Sequence, residues 1–258
     1  MLLAIDTGNT QTHIGIFRRD EIVAQWRTST EASRTSDELA LTFQQFLALE
    51  GLSFSREVTG VVISSVVPSL TASLREMVAR YFHFDPVMVE PGVRTGMPVL
   101  TDHPREVGAD RIANAVAAQI LVGGPAIIVD FGTATTFDAV SERGEYLGGA
   151  IVPGIEVSAD ALFGAAAQIQ KVELRLPATV VGRSTADAVC SGLLNGAASM
   201  MEGMVERMRK ELGGRAAVVA TGGLAPLVLA LCSTPVRHEP TLTLLGLRLI
   251  YDRNVTSD

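Results

Sequence analysis

The feature that most constrains the fold of this chain is an internal repeat of apolar and polar residues. Residues 2–26 contain three apolar segments, and the sequence DTGNT at residues 6–10 separates the first two. Residues 126–152 repeat this plan, with DFGT at residues 130–133 in the place of DTGNT. Asp6 and Asp130 are 124 residues apart, close to half of the 258-residue chain. Each copy predicts a meander of three strands, so we expect two homologous halves, residues 1–123 and 124–258.

The apolar period changes from two to about 3.6 after each meander, which is typical of helices. In the first half this predicts helices at residues 36–49, after Pro68 and at residues 108–121, and strands at residues 61–64 and 87–89. In the second half it predicts helices at residues 184–212, 223–231 and 241–249, and a strand at residues 217–220. Alternating strands and helices predict an α/β fold, in which ligands bind at the carboxyl ends of strands. Two such halves predict an active site in the cleft between them.

Charge and composition exclude several classes of function. The chain has 28 acidic and 21 basic residues, a formal net charge of −7, which argues against nucleic acid or an anionic membrane as the main ligand. Residues 1–6 lack the pattern of a signal peptide, and no apolar run approaches the roughly 18 residues of a membrane span. Cys190 and Cys232 form no metal-binding pattern. We therefore expect a cytoplasmic protein with a small-molecule ligand.

The DTGNT segment has the residue types of a phosphate-binding loop. Asp6 ends an apolar strand and is followed by Gly8, Asn9 and Thr10. Glycine lets the backbone approach an anion, Asn and Thr donate hydrogen bonds to phosphate oxygens, and a carboxylate can hold Mg²⁺ through water. Taken alone, the segment also fits an ordinary turn in which Asn9 adopts the left-handed conformation.

The second copy favours the phosphate-binding interpretation. Asp130, Gly132 and Thr133 place a second carboxylate, glycine and hydroxyl at the equivalent position. Two such hairpins, one in each half, resemble those that hold the phosphates of ATP in the acetate kinase, sugar kinase and actin superfamily, which is built from duplicated ribonuclease H-like halves. Gly222 and Gly223 follow a predicted strand, where bare backbone could accept the ring of adenosine, although such a pair is also common in simple turns.

A third polar segment begins the predicted helix at residues 108–121. Asp110 and Arg111 lie in its first turn, where free amide groups and the helix dipole favour bound anions. An arginine can hold a carboxylate through two parallel hydrogen bonds. The alternative is an acidic residue at a helix start beside a solvated arginine.

Taken together, these segments resemble the type III pantothenate kinases, also called the Bvg accessory factor family. The resemblance rests on DTGNT (6–10), EVGADRIANAVAA (106–118), VDFGTATTFD (129–138), GGAIVPG (148–154), GRST (182–185) and ATGGLA (220–225). It implies a homodimeric enzyme that phosphorylates pantothenate with ATP, the first step of coenzyme A synthesis. It also implies a need for Mg²⁺ and for a monovalent cation such as K⁺ or NH₄⁺.

The resemblance also assigns roles to individual residues. It implies that ATP and its Mg²⁺ are bound by Asp6, Thr7, Gly8, Asn9, Thr10, Gln11, Thr12 and His13, with further ATP contacts from Thr133, Gly222 and Gly223. It implies that pantothenate is bound by Gly108, Ala109, Asp110, Arg111 and Thr185. Asp110 is then the catalytic base, and Asp130 binds the monovalent cation. Thr101 is a departure, because many members of the family carry a tyrosine there that packs on pantothenate.

Two other functions are compatible with parts of this pattern. The family's older name suggests a non-enzymatic ATP-binding accessory protein in transcription, but the chain has no basic stripe for DNA. A polyphosphate or nucleotide phosphatase of the same superfamily would use both phosphate loops. The VGADR segment at residues 107–111 has no evident role in such a phosphatase.

Overall fold

The computed structural model describes residues 1–54, 56–166 and 169–255. Its strands are β1 (Leu2–Thr7), β2 (Gln11–Arg18), β3 (Glu21–Ser29), β4 (Gly60–Ser65), β5 (Val87–Met88), β6 (Ala126–Phe131), β7 (Ala134–Val140), β8 (Tyr146–Pro153), β9 (Ala217–Thr221) and β10 (Arg237–His238). Its α-helices are α1 (Ser36–Leu49), α2 (Pro68–Phe82), α3 (Ala109–Val122), α4 (Ile155–Ala165), α5 (Thr185–Glu211), α6 (Ala225–Leu229) and α7 (Leu242–Val255). A 3₁₀ turn spans Pro104–Glu106.

Each half of the repeat forms a five-stranded sheet with the same topology. The first sheet has the order β3-β2-β1-β4-β5, and the second, read from its meander edge, has the order β8-β7-β6-β9-β10. In each sheet the first strand of the meander pairs antiparallel with the second and parallel with the strand that follows the meander. The duplicated α/β fold expected from the repeat is therefore confirmed.

The chain divides into two compact units whose limits differ from the two predicted halves. The first unit contains Met1–Met97, Asp102–Ala117 and the chain from Leu242 onwards, and the second contains Pro98–Thr101 and Ala118–Thr241. The C-terminal helix α7 thus belongs to the first unit, and the segment Pro98–Thr101 belongs to the second. Both differences arise from packing between residues far apart in sequence, which the repeat does not encode.

In the first unit, helices cover both faces of the sheet. Leu39, Phe43 and Leu47 on one face of α1 join a core with Ile5 and Ile63 of the sheet. Helix α7 contacts β1, β2 and β4 on the opposite face. A Cβ on Gly15 would lie 2.8 Å from a methyl group of Leu244, so a bare backbone at this position admits the helix.

The second unit has its own apolar core. Ile127 and Val129 of β6 pack with Leu194 and Met201 of α5, and all four side chains are buried. Helices α4 and α6 also contact α5. Helices α5 and α6 were expected from the sequence, whereas α4 was not. In the described part of the chain, no helix combines the length and apolarity required to span a membrane.

Candidate functional site

The first phosphate-loop candidate forms the tip of the β1–β2 hairpin. The backbone N–H of Gly8 donates to the carbonyl of Gln11 at 3.0 Å, which closes the turn. Asn9, Thr10 and Gln11 are exposed at the tip. The hairpin therefore presents the amide and hydroxyl of its tip to solvent, as a phosphate-binding loop requires.

The other predicted residues of this hairpin lie within the sheet. Thr7 and Thr12 are paired in the ladder and buried, and the hydroxyl of Thr12 lies 3.0 Å from that of Thr30. Asp6 pairs with His13 on β2 and with Ser64 on β4, so the three side chains share the face that α7 covers further along the sheet. Within the described residues, the buried hydroxyl of Ser64 has no hydrogen-bond partner.

On the sheet, His13 lies between a residue with a carboxylate and a residue with a guanidinium on the two neighbouring strands. Its ladder partners are Asp6 on β1 and Arg27 on β3, and its Nε2 lies 2.9 Å from Oε1 of Gln25. Burial lowers the pKa of His13, the hydrogen bond to Gln25 acts against this, and the nearby Arg27 lowers the pKa further. The lowered pKa favours the neutral imidazole, which can donate only one ring N–H.

The second phosphate-loop candidate is the tip of the β6–β7 hairpin. The backbone N–H of Gly132 donates to the carbonyl of Ala134 at 3.1 Å, as Gly8 does to Gln11 in the first hairpin. Thr133 is exposed at this tip. The turn is one residue shorter than in the first hairpin, since Phe131 pairs with Thr135 whereas Thr7 pairs with Thr12.

Close backbone packing brings the Gly222–Gly223 turn to this hairpin. Asp130 pairs with Thr221 of β9, so the Gly222–Gly223 turn follows directly beside the end of β6. Gly222 has a φ of +97°, and a Cβ there would lie 2.5 Å from backbone atoms of Phe131. Only a glycine at position 222 therefore lets this turn lie against the end of β6, beside Asp130.

The pantothenate-site candidate occupies the start of α3. Gly108 precedes the helix, Ala109 is its first residue, and Asp110 and Arg111 lie in its first turn. Oδ1 of Asp110 accepts the backbone N–H of Arg111 at 2.9 Å. A Cβ on Gly108 would collide with that same Oδ1, so the glycine leaves room for the carboxylate.

Helix α3 is held in the first unit by α7. The hydroxyl of Thr243 donates to Oδ1 of Asn114 at 2.8 Å in a buried contact. A Cβ on Gly246 would collide with the backbone of Ala113, so the two helices pack backbone to backbone at this point. The position of Asp110 and Arg111 therefore depends on α7, which packs on the same sheet that carries Asp6.

Thr185, the remaining predicted pantothenate residue, is the exposed first residue of α5. The preceding Ser184 caps this helix, since its Oγ accepts the backbone N–H of Asp187 at 3.1 Å. The hydroxyl of Ser184 and the guanidinium of Arg175 donate to the carboxylate of Asp187, and these hydrogen bonds, that from Ser184 first, lower its pKa. The start of α5 is thus a capped helix terminus in the second unit, stabilised by side-chain hydrogen bonds.

The structure therefore places the predicted residues in two groups. The first unit carries the hairpin at residues 6–13 and the segment at residues 108–111, and the second carries Asp130, Thr133, Thr185 and the Gly222–Gly223 turn. Among the described residues, no cluster of three or more His, Cys, Asp or Glu is placed to hold a metal ion.

Comparison with known proteins identifies the family. The family model for type III pantothenate kinases matches residues 2–207. The type III pantothenate kinase of Streptomyces griseus is 54% identical over 99% of both chains. That of Moorella thermoacetica is 50% identical over 98% of this chain and all of the relative. This chain belongs to the type III pantothenate kinase family.

A solved structure agrees with a fold of this kind. A candidate transcriptional activator of the Baf family from Campylobacter jejuni superposes with a TM-score of 0.62 at 18% identity, covering 98% of each chain. At that identity the likeness concerns the fold alone. The type III pantothenate kinase family and the duplicated fold are thus established by independent comparisons.

Three polar side chains beside the two aspartates were not predicted from the sequence. Ser64 stands opposite Asp6, and Thr136 and Thr221 stand opposite Asp130, all as direct ladder partners. Two of them carry a signal in the sequence, because Ser64 ends the predicted strand at residues 61–64 and Thr221 directly follows the predicted strand at residues 217–220. Strand order was needed to recognise them, and the sequence alone does not state it.

Proposed function

We propose that this protein phosphorylates pantothenate with ATP to give 4′-phosphopantothenate, in the first step of coenzyme A biosynthesis. The observation that carries the proposal is the match to type III pantothenate kinases along the whole chain, at 54% identity to the relative from Streptomyces griseus. The duplicated hairpins and the helix start at Asp110 supply the residue types that this reaction needs.

ATP is bound in this proposal by the hairpin at residues 6–13, by Thr133 and by the Gly222–Gly223 turn. The tip at Asn9 and Thr10 supports a phosphate-binding role, because residues with amide and hydroxyl side chains are exposed there. Asp6 holds Mg²⁺ through water, and its carboxylate and the neighbouring hydroxyls fit the preference of Mg²⁺ for oxygen ligands. When bound, this ion neutralises charge on the phosphates.

A monovalent cation is assigned in the same way to Asp130. Its ladder partners Thr136 and Thr221 add hydroxyl oxygens beside the carboxylate, so the donor set at this position consists of oxygen atoms. Hard monovalent cations bind oxygen ligands, and the family resemblance suggests K⁺ or NH₄⁺. A cation held by these oxygen atoms would supply positive charge for binding the phosphates of ATP.

The first turn of α3 binds pantothenate through the carboxylate of this substrate, and Thr185 provides a further contact. Arg111 binds the carboxylate through two hydrogen bonds, and the helix start adds amide donors. Asp110 accepts the proton of the primary hydroxyl as that oxygen bonds to the γ-phosphorus of ATP. The bond from this phosphorus to the bridging oxygen breaks, and ADP leaves with the electron pair.

Two further properties belong to the proposal. The protein acts as a homodimer, as the family resemblance implies, and sedimentation analysis of the purified chain measures this directly. It acts in the cytoplasm, in keeping with cysteines that form no disulfide, Cys190 and Cys232.

An assay of ADP release with and without pantothenate tests the proposed function. We expect ADP formation that depends on both pantothenate and Mg²⁺, together with a product heavier than pantothenate by one phosphoryl group in mass spectrometry. A non-enzymatic regulator, which the comparisons do not favour, would release no ADP. A phosphatase of the same superfamily would release ADP from ATP whether or not pantothenate is present.

A further inference from the structure

Strand β7 carries a buried carboxylate. Asp138 is fully buried, and its Oδ1 accepts the hydroxyl of Tyr146 at 2.6 Å. The hydroxyl of Thr136 donates to the other oxygen, Oδ2, at 3.3 Å. Tyr146 is itself fully buried. Because burial of a carboxylate is costly even when it is hydrogen-bonded, this pair calls for a reason beyond packing.

The duplicated sheet shows that the meander does not require this carboxylate. Asp138 pairs with Ile128 in the second sheet, and Gly15 pairs with Ala4 at the equivalent place in the first. The ladder with the third strand of the meander shifts its register just after this position in both β2 and β7. This shared irregularity supports the correspondence of Gly15 with Asp138. The first unit thus folds with a glycine where the second has Asp138.

What the second unit has in addition is a short attached segment, Pro98–Thr101, which we call the strap. The N–H of Tyr146 donates to the carbonyl of Pro98 at 2.8 Å, and the N–H of Leu100 donates to the carbonyl of Tyr146 at 2.8 Å. The γ-methyl of Thr101 lies 3.6 Å from where a Cβ on Gly148 would be. The residue that binds Asp138 through its side chain therefore holds the strap through both of its backbone groups.

We propose that Asp138 and Tyr146 are positioning residues that fix the strap and, through it, the affinity for the acceptor substrate. The inference rests on the proposed function, which assigns pantothenate to the segment beginning at Gly108. Thr101 at the end of the strap precedes Gly108 by seven residues, and the 3₁₀ turn Pro104–Glu106 occupies part of that link. This short covalent link is the route by which, in this proposal, a shift of the strap reaches the start of α3.

The variant Tyr146→Phe tests this proposal, because it keeps the ring and removes the hydroxyl. We expect KM for pantothenate to rise about tenfold, as for the loss of one hydrogen bond to a buried charge, while KM for ATP stays within about twofold. Asp138→Asn keeps an oxygen that accepts the Tyr146 hydroxyl, so it should leave KM for pantothenate within about threefold of the parent enzyme.

Ser141→Ala is the matched control in the adjacent turn. The hydroxyl of Ser141 donates to the carboxylate of Glu145 at 2.7 Å, and this bond stabilises the same hairpin without touching the strap. If Ser141→Ala produced the same split between the two KM values, or if Tyr146→Phe raised both KM values equally, the pair would have a general structural role and the proposal would be overturned.

Amide hydrogen exchange gives a second test that does not depend on activity. In the parent protein we expect the Leu100 amide to be protected to the same degree as amides of β8, and in Tyr146→Phe to exchange faster while β6 stays protected. Fast exchange of Leu100 in the parent protein would contradict attachment of the strap, even if Tyr146→Phe did not fold. Absence of pantothenate-dependent ADP release in the parent would instead contradict the proposed function.

Discussion

At the scale of single residues, the assignment that matters most is Asp110 as the base. Asp110→Asn keeps the size of the side chain and an oxygen that can accept the Arg111 N–H, but it cannot accept a proton. We expect kcat to fall by about 10²- to 10⁴-fold while ATP and pantothenate still bind. Calorimetry and steady-state kinetics on one preparation measure both. A kcat within threefold of the parent would remove Asp110 from this role.

Arg111 provides a separate prediction about the carboxylate of pantothenate. Arg111→Lys keeps the charge but cannot make two parallel hydrogen bonds to one carboxylate. Loss of such a contact costs about 1.5 to 3 kcal/mol, so KM for pantothenate should rise about 10- to 150-fold with little change in KM for ATP. An equal rise in both values would assign Arg111 to phosphate binding instead.

His13 predicts a dependence of stability on pH. Its pKa in the folded protein is lowered, chiefly by burial, so below its ordinary value of 6.5 the unfolded chain takes up a proton first. Stability is therefore fully present above pH 6.5 and falls as the pH drops toward the lowered pKa. Urea unfolding at pH 7.5 and 5.5 measures this fall. Between these two pH values, the free energy of unfolding should fall less in His13→Gln than in the parent protein. A larger loss in the variant would mean that Asp6, the ladder partner of His13, dominates its titration.

At the scale of elements, the contact of α7 with α3 is the packing on which the acceptor site depends. Gly246→Ala places a methyl group against the backbone of Ala113, and such overpacking costs about 1 to 3 kcal/mol. We expect a lower free energy of unfolding and a higher KM for pantothenate, because α3 carries Asp110 and Arg111. Denaturant titration and kinetics measure these two effects.

Gly192→Ala on α5 is the matched control for this substitution. A Cβ on Gly192 would meet no atom within 4 Å, and alanine in an open helix position stabilises by about 0.5 to 1 kcal/mol. The two glycine substitutions should therefore change stability in opposite directions. If Gly246→Ala were also stabilising, the close packing of α7 on α3 would be contradicted.

The elements show what the sequence could predict and what it could not. Strands of the meanders and helices such as α1 and α5 follow from local periodicity, and the structure confirms them. Helix α4 was missed because residues 155–165 directly follow the third strand and the glycine-rich GGAIVPG motif, with no separate start signal. The environment of Asp138 was also missed, because its partner Tyr146 and the strap meet only through tertiary packing.

At the scale of the whole molecule, the repeat predicts two halves, but contacts between distant residues assign α7 to the first unit. Leu242, Leu244, Leu247 and Ile250 of this helix are fully buried. A fragment of residues 1–123, the first predicted half, would leave uncovered the sheet face and the side of α3 on which these side chains pack. We expect this fragment to lack a cooperative unfolding transition and to show poor dispersion of its amide resonances.

A peptide of residues 239–255 added in trans should restore both properties, since it supplies the missing helix. Burial of four aliphatic side chains contributes about 1.5 to 3 kcal/mol each, which is comparable with the whole stability of a small domain. A control peptide with Leu244→Asp and Leu247→Asp keeps the length but cannot pack its apolar side. Cooperative unfolding of residues 1–123 alone, with no response to either peptide, would show that the repeat by itself defines an independent folding unit.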